Sequence, residues 1–185
     1  MLKTIKIAAF ALLTMSLFTF GLCDKVADEI VVDYNGSQTF DLLATPAAGE
    51  YPVQKDKIEN KLQKFLTDNK INPSKVTTLT VNKVTATLAN TALKFDALES
   101  ASLLIDGTQW AGGAITVDAS GNVLVGGVVA GNVNNQTLTL STPKLSVKDL
   151  LSKTTLDYKL VIKTKKATPA SACTANYAIT IGYSL

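Results

Sequence analysis

The longest run of strand-forming residues lies at 75–90, KVTTLTVNKVTATLAN, and its apolar positions change phase halfway along. The first half places them at odd numbers and the second half at even numbers: Leu79 and Val81, then Val84, Ala86 and Leu88. Successive side chains of a strand point to opposite faces, so a regular strand cannot bury both sets. The pattern predicts one long strand interrupted at Asn82-Lys83 by a β-bulge, or by a bend that carries it into a second sheet.

Two stretches near the C-terminus alternate between apolar and polar residues, as half-buried strands do. They are 156–163 (LDYKLVIK) and 177–185 (YAITIGYSL). The linker between them is longer than a tight hairpin loop, so direct pairing of the two strands is expected but not required. Shorter runs of strand-forming residues lie at 100–105, 115–117, 123–125 and 136–140. The runs at 115–117 and 123–125 flank the turn sequence 118–121 (DASG) and predict a small hairpin, in whose turn Asp118 and Asn122 bond the backbone.

The dipeptide Asn35-Gly36 separates two strand-like runs, 29–34 (EIVVDY) and 37–43 (SQTFDLL). Asn and Gly both tolerate the positive φ of a type I′ turn, so the pattern predicts a β-hairpin. The next segment, 45–52 (TPAAGEYP), contains two prolines and a glycine and is interpreted as a connector.

Helical periodicity is clearest at 54–69, where apolar residues fall on one face and lysines lie mostly around the other. The apolar residues are Ile58, Leu62, Phe65 and Leu66. We interpret the lysines as a solvated helix surface rather than an anion-binding one. A second pattern at 146–153, where Asp149 follows Ser146 as in a capping box, predicts a short helical turn.

These elements predict a mainly β fold. About seven to nine short strands with turn signals between them are typical of an antiparallel immunoglobulin-like β-sandwich. The helix at about 54–69 and the helical turn at about 146–153 are added to that sandwich.

The N-terminus has the plan of a secretory signal peptide. Lys3 and Lys6 precede an uncharged run at 7–20 (IAAFALLTMSLFTF), which is short compared with the ~20 residues of a membrane-spanning helix. We expect a signal peptide at 1–22, a single domain at 24–185 and an extracytoplasmic location, with an uncleaved membrane anchor as the alternative.

Cys23 occupies the position of the acylated cysteine in a bacterial lipoprotein, which would tether the protein to a membrane. Leu22 is bulkier than the small residue that such a motif carries before its cysteine. Two alternatives stay open: Cys23 leaves with the signal peptide, or it forms a disulfide with Cys173, the only other cysteine. Two cysteines cannot form a dense disulfide framework, so stability must come from a hydrophobic core.

The basic residues are all lysine, because the sequence contains neither Arg nor His. Without Arg, the bidentate contacts that read phosphates and guanine are missing, and a nucleic-acid partner is not expected. Without His, catalytic Ser-His-Asp and Cys-His arrangements and His-ligated metals are excluded. We therefore expect no enzyme activity, no metal and no cofactor, with a carboxylate-only hydrolase as the least favoured alternative.

A glycine-rich stretch at 108–135 contains the single tryptophan, Trp110. Such an indole could stack on a sugar or anchor a protein partner, although a buried position under a loop is the favoured interpretation. Tyr51 and Tyr34 are weaker ligand-binding candidates of the same kind. Because glycine within strands marks bulges or close backbone approach, this stretch is expected to be mobile or to form a rim.

The sequence also resembles small secreted or surface-tethered β-sandwich proteins of Bacteroidota-type bacteria. The stretches that carry the resemblance are VTTLTVNKVTATL, FDALESASLLIDG and DLLSKTTLDYKLVIKTKKATPASACTANYAITIGYSL. The resemblance implies an immunoglobulin-like domain and no transferable site residues.

Our leading hypothesis is a non-enzymatic extracytoplasmic binding or structural module of the bacterial envelope or surface, with a protein or glycan partner. The alternative is a carrier that holds a small apolar or sugar ligand between its sheets or under the glycine-rich loops.

Overall fold

In the computed structural model, which describes residues 29–140, 142 and 145–185, ten strands form two antiparallel sheets. The strands are β1 (Glu29–Leu42), β2 (Gly49–Glu59), β3 (Val76–Leu88), β4 (Leu98–Ile105), β5 (Thr108–Val117), β6 (Asn122–Val125), β7 (Val128–Asn132), β8 (Thr137–Leu140), β9 (Thr155–Thr164) and β10 (Ser171–Ser184). Helix α1 spans Lys61–Asp68, and 3-10 turns span Pro73–Lys75, Phe95–Ala97 and Lys148–Ser152. The mainly β sandwich predicted from the sequence is confirmed.

The strand order places the first and tenth strands side by side. One sheet has the order β1-β10-β3-β8 and the other β2-β9-β4-β5-β6-β7. Strands β1 to β4 therefore alternate between the sheets, which is the winding of a jelly roll whose second sheet is extended by β6 and β7. An immunoglobulin domain instead keeps its first two strands in one sheet. Within the predicted sandwich, the connectivity is thus that of a jelly roll.

Strand β3 contains the predicted irregularity. Asn82 has no partner in β10, because Lys83 lies opposite Ala178 and Val81 lies opposite Ile179. This extra residue is a β-bulge, and it turns the apolar residues on both sides of Asn82 towards the same core. The alternative of a strand that changes sheets is wrong, because β3 pairs with β10 before and after the bulge.

The two C-terminal strands do not pair with each other, so that expectation is wrong. Strand β9 lies between β2 and β4, whereas β10 lies between β1 and β3. They face each other across the core, where the hydroxyls of Tyr158 and Tyr177 are 2.9 Å apart. Each strand has one buried face and one outer face, which explains their regular alternation.

The hairpin predicted around Asn35-Gly36 is wrong, because β1 is one continuous strand of 14 residues that pairs with β10 without a register shift. Gly36 lies opposite Tyr177, and a Cβ at Gly36 would overlap the tyrosine ring. The glycine therefore permits close packing within a strand instead of forming a turn.

Helix α1 is shorter than the helix predicted at 54–69, because the first residues of that segment belong to β2. Strand β2 also takes in the end of the segment interpreted as a connector, and Tyr51 and Val53 alternate inwards along it. The strand then bulges at Lys57, which has a φ of 53°, and resumes at Ile58. The bulge changes the spacing of apolar residues, and this gave the strand end the appearance of a helix.

Asn60 marks the true start of α1. Its side-chain oxygen accepts the N–H of Leu62 at 3.1 Å, and its Nδ2 donates to the carbonyls of Leu150 and Lys153 at 2.8 Å each. One buried amide thus caps the helix and ties it to the 3-10 turn at Lys148–Ser152. This turn confirms the short helical element predicted at 146–153. The capping box predicted for it is wrong, because the residue before the turn is Val147 and no side chain caps it.

The candidate signal peptide at 1–22 and Cys23 lie outside the described residues, and their processing stays a prediction. Within the described part of the chain, no helix has the length and apolar character needed to cross a bilayer.

Candidate functional site

The space between the sheets is nearly filled. A wholly apolar cavity there has a volume of about 30 Å3. Small-molecule sites typically have volumes of about 300–1,000 Å3. This cavity is therefore too small for a carried lipid or sugar.

Trp110 belongs to this core. Its side chain is 1% exposed, and its indole meets the Tyr177 ring edge-on with centroids 5.3 Å apart. The structure thus places the indole in the buried position that the sequence favoured, and it presents no ring face to a surface ligand. Tyr51 is half-buried in β2, and its hydroxyl donates to the carbonyl of Ala47 at 3.1 Å.

The glycine-rich stretch forms strands β5, β6 and β7 at one side of the larger sheet. The pairing predicted between 115–117 and 123–125 is confirmed. In the turn between them, Asp118 accepts the N–H groups of Ser120 and Asn122 at 2.8 and 2.9 Å. Hydrogen bonds from Asn122 and from neighbouring N–H groups lower the pKa of the Asp118 carboxyl. This carboxylate holds a hairpin turn.

A cleft with both aromatic and polar walls opens between the edge strands β1 and β2, and we call it the Gly36 cleft. Its volume is about 220 Å3. Its walls come from β1, β2, the start of α1 and two core tyrosines: Tyr34, Asn35, Gly36, Ser37, Gln38, Ile58, Glu59, Lys61, Tyr158 and Tyr177. The described residues thus bring Tyr34, one of the predicted candidates, into a cleft but leave Tyr51 and Trp110 outside its lining.

Gly36 and the ring of Tyr177 lie against each other in the wall of this cleft. Alternate residues of β1 point inwards, and Gly36 lies in that inward row between Tyr34 and Gln38. The ring of Tyr177 occupies the space that a side chain at Gly36 would take, so the ring itself forms the wall of the cleft at this position.

Three tyrosines lie at the inner end of the cleft. Tyr177 pairs its hydroxyl with that of Tyr158 at 2.9 Å, and its ring lies 6.4 Å from that of Tyr34. Tyr34 in turn packs against Phe65 of α1 with a centroid distance of 5.3 Å. Burial raises the pKa of each of the three phenols. The hydroxyls are therefore protonated at neutral pH and can donate as well as accept hydrogen bonds.

The outer face of the smaller sheet is a weaker candidate because its polar groups bind each other. Thr39 pairs with Thr174 at 3.0 Å, and Thr87 pairs with Thr137 at 2.9 Å. An open hollow of about 390 Å3 lies on this face beside Lys83. Tyr177 is the one aromatic residue in its described lining, and the ring of Tyr177 is buried in the core, so the hollow offers no exposed ring for stacking.

The carboxylates of Asp106 and Asp157 bind groups of the protein itself. Asp106 Oδ1 accepts the N–H of Asp157 at 2.7 Å, and its Oδ2 lies 2.8 Å from Nζ of Lys153 in an ion pair. Asp157 accepts the N–H of Lys57 at the β2 bulge at 2.8 Å. Among the described residues, no group of three or more Cys, Asp or Glu is placed to hold a metal.

Cys173 lies in the core and is 5% exposed. Burial raises the pKa of its thiol to about 12, so the thiol remains protonated at neutral pH. This position favours an inert side chain over a reactive one.

Replacing Gly36 by alanine is expected to destabilise the protein by about 1–3 kcal/mol, because the added methyl group overpacks the Tyr177 ring. Urea denaturation followed by circular dichroism measures the change. Ser37→Ala is the control, since Ser37 is the exposed neighbour in the same strand. Equal stabilities of the two variants would show that the Tyr177 ring does not lie against Gly36.

Comparison of the sequence with protein-family models finds no match, and comparison with curated proteins also finds none.

Proposed function

We propose that this protein is a non-enzymatic, extracytoplasmic binding module of a bacterial envelope or surface, and that its partner binds in the Gly36 cleft. The observation that carries the proposal is the cleft itself, where aromatic rings, protonated phenols and charged rim residues converge. Such convergence of apolar walls with a few polar groups is typical of binding sites.

The rim supplies charges of both signs. Glu59 and Lys61 flank Asn60 at the junction of β2 and α1, and both are exposed. Gln38 is half-buried on the opposite wall. A partner can therefore form hydrogen bonds at the rim while an apolar group contacts the rings inside, without requiring a metal or a catalytic base.

The carrier alternative has less support, because the cavity between the sheets has only about 30 Å3 and is far smaller than a small-molecule site. The hydrolase alternative has less support as well, because Asp106 and Asp157 bind main-chain groups and a lysine. The extracytoplasmic part of the proposal depends on the signal-like sequence at 1–22. The mass of the mature N-terminus distinguishes cleavage, lipidation at Cys23 and an uncleaved anchor.

Photo-crosslinking tests the binding site. A benzoylphenylalanine placed at Lys61, on the cleft rim, is expected to form an adduct of higher mass in cells that make the protein. The same residue placed at Lys64 is the matched control. Lys64 lies on the same helix and is also exposed, but it pairs with Asp68 and does not line the cleft.

An adduct at position 61 that is absent at position 64 supports the proposal, and mass spectrometry then gives the chemical class of the partner. Adducts of equal yield at both positions, or no adduct at position 61, would reject the Gly36 cleft as the binding site.

A further inference from the structure

The two sheets have four edge strands, and three of them are protected against pairing with another chain. Strand β2 contains Pro52, which lacks an N–H, and the bulge at Lys57. Strands β7 and β8 have only 5 and 4 residues and lie against each other. Their closeness is seen at Gly131, where an added Cβ would be 2.7 Å from Cδ2 of Leu138.

Strand β1 is neither short nor interrupted, and helix α1 packs against it where Phe65 meets Tyr34. It has 14 residues, contains no proline and, among the residues that the structure describes, pairs with β10 alone, in unbroken register. In an antiparallel pair, alternate residues point both of their main-chain groups away from the partner strand. The free edge of β1 therefore presents a regular series of donors and acceptors, which native proteins usually cover or interrupt.

The Gly36 cleft lies directly beside this free edge, between β1 and β2. We propose that edge and cleft form one site, and that its occupant is an extended segment of a partner protein that adds to the sheet as a strand beside β1. This inference rests on the proposed function, because it specifies the partner and the binding mode at the same cleft.

The geometry sets the pattern of the added segment. Alternate side chains of the added strand point inwards, and the one beside Gly36 enters the cleft. In the cleft this side chain lies between Ile58 and the hydroxyls of Tyr158 and Tyr177. A side chain with an apolar stem and a polar tip therefore fits best.

Charge favours a basic partner over a second copy of this chain. The charged residues of β1 are all acidic and lie on its outer face: Glu29, Asp33 and Asp41. Asp41 already faces Nζ of Lys55 at 3.9 Å, whereas Asp33 has no cation paired with it among the described residues. A Lys or Arg on the outer face of the added strand would lie next to Asp33. Two copies of β1 would instead bring acidic strands together.

Selection from a phage-displayed library of random dodecapeptides with the purified protein tests this inference. The expected peptides alternate in polarity and carry basic residues on one face. Hydrogen exchange of the protein with a selected synthetic peptide should show new protection of alternate β1 amides between 33 and 39, while β8 amides at the opposite edge stay unchanged.

Proline substitutions at neighbouring positions supply the matched pair of variants. Of Ser37→Pro and Gln38→Pro, one removes an N–H that binds β10 and the other removes an N–H that faces away. Thermal denaturation identifies the variant that keeps its fold. That variant should bind the peptide about tenfold more weakly or worse, since it loses a hydrogen bond and blocks the edge.

Other outcomes overturn strand addition. Strand addition is rejected if the selected peptides leave the hydrogen exchange of the β1 amides unchanged. It is also rejected if they bind the folded proline variant as tightly as the native protein. Self-association with protection of β1 would assign the edge to a second copy. A glycan adduct at position 61 without β1 protection would overturn strand addition and leave the proposed binding function intact.

Discussion

Replacing Trp110 by alanine is expected to lower the free energy of unfolding by about 3–5 kcal/mol, the range typical of a large aromatic residue removed from a packed core. The indole is 1% exposed and packs edge-on against Tyr177. Its loss would leave a cavity beside the ring that connects the core to the Gly36 cleft. Urea denaturation followed by circular dichroism gives the free energies of both proteins.

Val129→Ala is the control for this experiment. Val129 belongs to the same glycine-rich stretch but is 60% exposed, so its replacement should change stability by no more than about 0.5 kcal/mol. If Trp110→Ala cost as little as Val129→Ala, the indole would not be part of the core, and a role in stacking on a surface ligand would again be favoured.

Replacing Gly112 by alanine is expected to cost about 3–5 kcal/mol, from backbone strain and overpacking together. Gly112 has a φ of 123°. A Cβ there would overlap the carbonyl oxygen of Ala101 and lie 2.6 Å from Cα of Ser102 in the neighbouring strand. The contact is with backbone, so β4 and β5 would have to separate for the methyl group to fit.

Gly127→Ala separates the two contributions to that cost. Gly127 also has a positive φ, 84°, but apart from its chain neighbours no atom lies within 4 Å of the position that a Cβ would take. Only backbone strain of about 1 kcal/mol is therefore expected. Denaturation curves of the two variants should differ by at least about 2 kcal/mol. Equal losses would show that close approach of β4 and β5 is not what requires glycine at position 112.

The features that could be predicted from the sequence were those decided by neighbouring residues. The phase change at Asn82 is visible because apolar residues on both sides of it must reach the same core. The turn at Asp118 was interpreted correctly because its hydrogen bonds stay within a few residues. The alternation of β9 and β10 gave two strands but not their partners, since pairing is set by the winding of the whole chain.

The features that were missed depend on distant contacts. Asn35-Gly36 has the chemistry of a hairpin turn, but pairing with β10 along the whole of β1 overrides it. The end of β2 resembled a helix because the bulge at Lys57 shifts the spacing of apolar residues before α1.

The Gly36 cleft could not be located from the sequence, because it requires β1 to be one strand. Once β1 is continuous, Tyr34, Gly36 and Gln38 form an inward row, and the ring of Tyr177 packs over the glycine in the middle. Tyr34 was identified as a candidate, but its partners Tyr158 and Tyr177 come from opposite sheets and are brought together only by the sandwich.

The pairing of β1 with β10 also has a kinetic consequence. The smaller sheet cannot form around β1 until the ribosome has made β10, and β2 likewise waits for β9. Such non-local pairing is associated with folding times of about milliseconds to seconds. The nascent chain would therefore not complete either sheet until its synthesis is nearly finished, which suits the export through a translocation pore proposed for it.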